Sequence, residues 1–246
     1  MTAMRVVTYN IHRSRGLDWK VRPERIVQVL KEIKPDIIAL QEVVADQIDY
    51  LAGQLGFAFV FGSNDKLRGH DYGNLTFSRY PIQRTENYDV SFRAREKRGC
   101  LRTDLEVPGT GVVHLFHVHL GTSYFERRHQ AIRLVSREVI HNPELTGPRL
   151  LLGDFNEWTR GLVTRLLSAN LQGAHIQEHM RRKKTYPGVL PFLHLDNVYF
   201  DPALHLKSLS LHRTPRALIA SDHLPLVAEF EPGGARRNDG GNGMQF

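Results

Sequence analysis

One cysteine, Cys100, stands among 246 residues, so no internal disulfide can form and the chain suits a reducing compartment. Long apolar runs are missing. Nothing approaches the ~20 consecutive apolar residues of a membrane-spanning helix, which excludes stable helical insertion into a bilayer. The amino-terminal MTAMRVVTYNIH carries no basic-then-apolar leader and passes straight into a strand-like alternation, so a cytoplasmic location is expected. Internal repeats are absent. Low complexity is confined to residues 232–246, whose Gly-rich polar composition predicts a disordered tail after a single domain over residues 1–231. Acids are in deficit, 26 against 33 Lys plus Arg, for a formal net charge of +7. That field favours polyanionic partners such as nucleic acid or anionic lipid headgroups, although mild basicity also serves solubility alone.

What is present is ordinary for a globular chain, 41% hydrophobic and 24% charged, and long enough for one large core. Alternating or short apolar runs predict strands at 5–10, 36–42, 57–61, 74–78, 100–107, 112–119, 149–153, 195–200 and 224–230. Helical spacing occurs at 23–34, where Ile26, Val27, Leu30 and Ile33 share a face and Pro23 suits the first turn. A second helical pattern at 126–141 aligns Ile132, Val135 and Val139. Hairpins dominate the middle of the chain while its ends alternate strand and helix, which predicts an α/β protein of two packed mixed sheets flanked by helices.

Polar residues able to do chemistry cluster where these strands stop: Asn10, Glu42, His119, Asp154, Asn156, Asp196, Asp222 and His223. Singly, each has an ordinary explanation, since a strand-end Asn or Asp commonly builds a turn, and Asp154 or Asn156 could cap a helix starting near Thr159. Jointly, the carboxylates of Glu42, Asp154, Asp196 and Asp222 would repel one another on a common rim unless a cation neutralised them. Such an oxygen-rich set suits Mg²⁺ or Mn²⁺. An anionic metal seat inside a basic protein matches the needs of phosphodiester cleavage.

Six motifs sharpen this reading: Thr8-Tyr9-Asn10-Ile11-His12, Leu40-Gln41-Glu42-Val43, His119-Leu120-Gly121, Gly153-Asp154-Phe155-Asn156, Leu195-Asp196-Asn197-Val198-Tyr199 and Ser221-Asp222-His223-Leu224-Pro225. In order and spacing they resemble the endonuclease/exonuclease/phosphatase superfamily over nearly the whole chain, closest to its small bacterial members. The resemblance implies a four-layer α/β/β/α sandwich and a metal-dependent phosphoester hydrolase. It implies Glu42 as principal ligand of Mg²⁺ or Mn²⁺, with Asn10 and Asp222 close to the same ion. Asp154 would orient or deprotonate the attacking water, Asn156 would hold a phosphate oxygen, and His119 would stabilise phosphoryl charge. Asp196 would fix the orientation of His223, which would contact the phosphate or transfer a proton. Whether Asp154 or His223 is the base stays open at this point.

DNA is the substrate expected first. A phospholipid or small phosphoester on the same site is the alternative, and a catalytically silent nucleic-acid-binding module is a third reading. The Arg13-Ser14-Arg15-Gly16 that follows TYNIH, and the GDFNEW string, both depart from the patterns of apurinic-site endonucleases. Basic clusters at Arg93, Arg95, Lys97, Arg98 and Arg102, at Arg127 and Arg128, and at Arg181–Lys184 neighbour Phe92, Tyr124, Phe125, Trp158 and Tyr186. Basic residues interleaved with aromatics suit a groove that tracks a phosphate backbone and stacks bases, which nominates Arg93, Arg95, Arg98, Arg127 and Tyr186 as substrate-binding. His175-Ile176-Gln177-Glu178-His179 reads H-x-x-E-H, but little chain remains downstream for the further glutamate a zinc peptidase needs, so these histidines are read as surface residues. Cys100 lies in an apolar strand and is expected to be core.

Overall fold

A computed structural model describes residues 3–157, 161–173 and 195–231. The H-x-x-E-H string, Trp158, Tyr186, Arg181–Lys184 and the Gly-rich 232–246 all lie outside the described residues.

Two six-stranded sheets form the centre of the molecule. The first has the order β11-β12-β1-β2-β4-β3 and the second β5-β6-β7-β8-β10-β9. Their strands are β1 (Met4–Asn10), β2 (Ile37–Val44), β3 (Ala58–Leu67), β4 (His70–Ser78), β5 (Ile82–Asp89), β6 (Gly99–Val107), β7 (Gly111–His119), β8 (Arg149–Asp154), β9 (Gln172–Gly173), β10 (Asp196–Phe200), β11 (Leu206–Leu211) and β12 (Leu226–Phe230). Both sheets are mixed. β1 and β2 run parallel in one, β7 and β8 in the other, and the remaining pairs are antiparallel. Each parallel pair requires a crossover, supplied by α1 (Pro23–Ile33) between β1 and β2 and by α3 (Tyr124–Leu134) between β7 and β8.

The inner faces meet in a core that includes Val6, Ile37, Leu105, Leu115, Leu152, Val198 and Phe230. Outside the first sheet, α1, α2 (Ile48–Leu55) and α5 (Pro215–Ala220) bury Ile26, Leu30, Leu51 and Ala217 against Tyr9, Ile38 and Phe77. Outside the second, α3 and α4 (Leu162–Ser168) bury Ala131, Leu134, Val163 and Leu167 against Phe116, Leu151 and Phe155. The result is the expected α/β/β/α sandwich. Strands buried on both faces read as near-continuous apolar runs, which is why β2 and β8 were visible in the sequence.

Two helical expectations need correction. The segment 126–141 is helical only to Leu134; beyond it, Val139 and His141 donate their amides to the Ser136 carbonyl in turns. Ile132 therefore faces solvent at 51% exposure, while Gln130, Ala131 and Leu134 carry the buried face. Capping of the helix after β8 falls to Glu157, whose carboxylate accepts the amides of Val163 and Thr164 at the start of α4. Asp154 and Asn156 are thereby free of that duty. Among the described residues no helix is long and apolar enough to cross a membrane.

Candidate active site

The strand ends converge. Asp154 closes β8, and its ladder partners are His119 on parallel β7 and Asp196 on antiparallel β10. Gly153 makes this close approach possible: its φ is +145°, and a Cβ there would lie 1.9 Å from the Val118 carbonyl oxygen. From the first sheet come Asn10, at the end of β1, and Glu42. Glu42 sits where β2 gains one residue on β4, since Leu40 faces Leu75 while Val43 faces Gly73. The bulge forces Glu42 to φ +58°, a left-handed conformation held at the site. Asp222 and His223 approach on the turn before β12, which Ser221 ties to β1 by donating its hydroxyl to the Asn10 carbonyl at 2.8 Å.

These groups, apart from Asp196, line one open cavity of about 570 Å³ together with Arg13, Lys66, Tyr72, Glu96, Arg98 and Asn156. Asn10 donates its amide hydrogens to Glu42 Oε1 at 3.1 Å and to Asp154 Oδ2 at 3.0 Å, while its oxygen accepts the His12 amide. It thus ties two carboxylates together across the sheets. Asp154 Oδ1 accepts the Asn156 amide at 2.9 Å, and the Asn156 side chain donates to the Leu120 carbonyl. The Nε2 atoms of His119 and His223 each lie 3.7 Å from Asp154 Oδ2.

The two histidines differ in charge. His223 pairs through Nδ1 with Asp196 Oδ2 at 3.0 Å. Burial pulls its pKa down, but Asp196 and Asp154 outweigh burial and lift it to about 10, so His223 is protonated at neutral pH. His119 is driven the other way, well below the ordinary value, by burial and by Arg98 beside it. Asp154 is pushed up to about 6, first by burial, with His223 opposing and Asp196 adding to the rise.

The residues present fit a hard divalent cation. Glu42 and Asp222 present carboxylate oxygens to the same cavity, and their neighbours stand off, the Arg13 guanidinium at 3.7 Å from Glu42 and the His12 ring at 3.6 Å from Asp222. A second set of potential ligand atoms, from Asp154, Asp196 and His223, lies within 4.8 Å of one another. There the His223–Asp196 hydrogen bond already occupies Nδ1, and Asp196 is wholly buried.

The basic clusters separate in the structure. Arg93, Arg95 and Lys97 are exposed. Arg102 is not; it is 2% exposed and pairs with Asp104 and the Tyr88 hydroxyl inside the second sheet. Arg98 is also buried, held between Glu96 and His119. Arg127 is half-buried and donates to the carbonyls of Gly121 and Thr122. Phe92 packs on His129 of α3 at 5.2 Å between ring centroids, which brings the 93–97 loop beside the Arg127–Arg128 cluster. Arg13, Lys66, Tyr72 and Glu96 were missed in the sequence. Arg13 could have been found, because it directly follows the Asn10 motif; the others lie on β3, β4 and the loop before β6, which carry no motif.

The sequence pattern of the Endonuclease/Exonuclease/phosphatase family matches residues 7–223. The Escherichia coli K12 protein YbhP, described as uncharacterized, is 31% identical, with 93% of this chain and 96% of that protein covered. An endonuclease/exonuclease/phosphatase structure from Beutenbergia cavernae superposes with a TM-score of 0.76 at 25% identity, covering 96% of this chain and 73% of that one. A mannosyl-6-phosphatase from Bacteroides thetaiotaomicron superposes with a TM-score of 0.76 at 18% identity, covering 93% and 99%, and so shares the fold.

Proposed function

This chain belongs to the Endonuclease/Exonuclease/phosphatase family, and within it we propose a divalent-metal-dependent phosphodiesterase whose preferred substrate is DNA. Members of the family are hydrolytic phosphoesterases. The observation that carries the proposal is the meeting of His119, His223 and Asn10 on one oxygen of Asp154, beside the carboxylates of Glu42 and Asp222.

In this reading Glu42 and Asp222 hold Mg²⁺ or Mn²⁺, and Asn10 sets the distance between Glu42 and Asp154. A bound ion there supplies neutralising charge to the phosphoryl oxygens and the leaving oxygen. Asp154, with a pKa of about 6, is ionised at neutral pH yet basic enough to take a proton from water, so it is assigned as the base. His223, held protonated by Asp196, donates to the phosphate and to the departing oxygen. His119 and Asn156 donate hydrogen bonds without adding negative charge. Arg93 and Arg95 are assigned to backbone phosphates at the rim. Residues 1–231 are read as one catalytic unit in the cytoplasm, where the buried thiol of Cys100 stays reduced.

Hydrolysis of a phospholipid or small phosphoester on this site is the competing reading. Comparing kcat/KM for bis(p-nitrophenyl) phosphate and p-nitrophenyl phosphate with Mn²⁺ separates a diesterase from a monoesterase, and supercoiled plasmid beside phospholipid vesicles separates DNA from a lipid diester. A phosphodiesterase turns over the diester faster; preference for the monoester overturns the proposal.

A further inference from the structure

We propose that Arg98 is a positioning residue that fixes His119 as a neutral Nε2–H donor, so that His119 takes no part in proton transfer. The inference rests on the reading of His119 as a hydrogen-bond donor to the substrate's phosphoryl group, and it assigns the residue that makes it one.

Donors and acceptors decide the tautomer. Arg98 Nη1 lies 2.9 Å from His119 Nδ1. A guanidinium has five N–H donors and no acceptor, so a hydrogen bond between these atoms requires a lone pair on Nδ1. The single ring proton of a neutral imidazole is then on Nε2, which faces Asp154 Oδ2 at 3.7 Å and the cavity.

Arg98 is itself held in place. Its Nη2 donates to Glu96 Oε2 at 2.9 Å. Its backbone is pinned on both sides, with the amide donating to Ser91 Oγ at 3.0 Å and the carbonyl accepting the Val90 amide at 3.0 Å. Arg98 is 8% exposed and His119 5%, so a second proton on His119 would set two cations together out of water. The other ionisable groups facing His119 are His117 on its own strand, His223 from the turn before β12 and Asp154 from β8. Asp154 alone would favour an imidazolium. It stands at 3.7 Å, where Arg98 is in direct contact.

The two histidines of the site thus divide the work by their partners. A carboxylate behind Nδ1 makes His223 a charged donor, and a guanidinium behind Nδ1 makes His119 a neutral one. In the sequence Arg98 is one of a run of basic residues, and only its burial separates it from the rim.

Long-range ¹H–¹⁵N correlation spectra of ¹⁵N-histidine-labelled protein read the tautomer of each ring, with His119 assigned by its absence in His119→Gln. The wild type is expected to show Nε2 protonated and Nδ1 bare from pH 5 to 8. Arg98→Lys keeps a donor and keeps that pattern. Arg98→Glu places a carboxylate behind the ring and puts a proton on Nδ1, as Asp196 does for His223. In turnover, Arg98→Ala is expected to lose about 30-fold in kcat with KM little changed, and Arg98→Lys to recover most of that loss. A wild-type His119 carrying its proton on Nδ1, or protonated on both nitrogens at pH 7, would overturn the proposal, and so would an unchanged tautomer in a folded Arg98→Glu. Should Arg98→Glu not fold, Arg98→Ala decides: a mixture of tautomers supports the assignment and a pure Nε2–H ring refutes it. The spectra need no substrate. A chain that hydrolyses no phosphodiester but shows Nε2–H would refute the functional reading alone.

Discussion

Asp196 holds His223 through a buried 3.0 Å hydrogen bond from Nδ1 to Oδ2. The carboxylate behind the ring sets which nitrogen faces the cavity and keeps the ring charged.

Asp196→Asn therefore lowers the pKa of His223 from about 10, because the largest opposing charge to its burial is removed. An NMR titration of His223 should show the fall, and kcat should drop by about 10²–10³-fold at pH 8. A pKa unchanged in the variant would show that Asp196 does not support the charge.

Asp154→Asn should abolish measurable turnover while leaving the fold intact. Stability should rise rather than fall. A carboxyl whose folded pKa is about 6, against about 4 unfolded, binds more protons folded than unfolded, so stability declines as pH climbs from about 4 to 6. The variant lacks that loss, and its advantage in urea midpoint should grow across the window and level off above pH 6.

His117 predicts the opposite slope. It is fully buried between the Gln41 amide and the Thr76 hydroxyl, and burial lowers its pKa to about 3. Below about pH 6.5 the unfolded chain takes up a proton that the folded chain refuses. Stability therefore falls as pH drops toward 3, at up to about 1.4 kcal/mol per pH unit from this group. His117→Gln should be less stable than wild type at pH 8, with the gap narrowing by pH 5 in urea titrations.

The strand-end residues were legible because apolar runs stop abruptly at Asn10, His119 and Asp154, and central strands must read as apolar to be buried on both faces. The edge strands β5 and β11 were not legible. β5, with the sequence IQRTENYD, is almost wholly exposed, and β11 alternates only weakly, so neither carries the apolar run by which β2 was found. Burial of charge was also hidden. Arg98 and Arg102 read like Arg93 and Arg95, and only the partners His119 and Asp104 take them inside. The carboxylates and histidines could be named in advance, but their division into a charged and a neutral histidine depends on Asp196 and Arg98 standing behind the rings.

Glu42→Ala removes the carboxylate that the β2 bulge turns into the cavity. Calorimetric titration should show Mn²⁺ affinity falling at least tenfold with the melting temperature held within a few degrees. Unchanged affinity would move the metal seat away from Glu42.

Arg93→Glu with Arg95→Glu tests the rim, where both side chains are exposed. Binding of a DNA duplex to the Asp154→Asn protein should weaken, with the slope of log K against log salt becoming shallower by about one for each phosphate no longer neutralised. Turnover of a small diester should be unaffected.

Nicking of supercoiled plasmid by the purified protein tests the central claim most directly, run with Mg²⁺, with Mn²⁺ and with EDTA, beside Asp154→Asn. Conversion to open circles that needs the metal and is absent in the variant is the predicted result. Intact plasmid with a folded, Mn²⁺-binding protein would contradict DNA as the substrate and turn the site toward lipid or small phosphoesters.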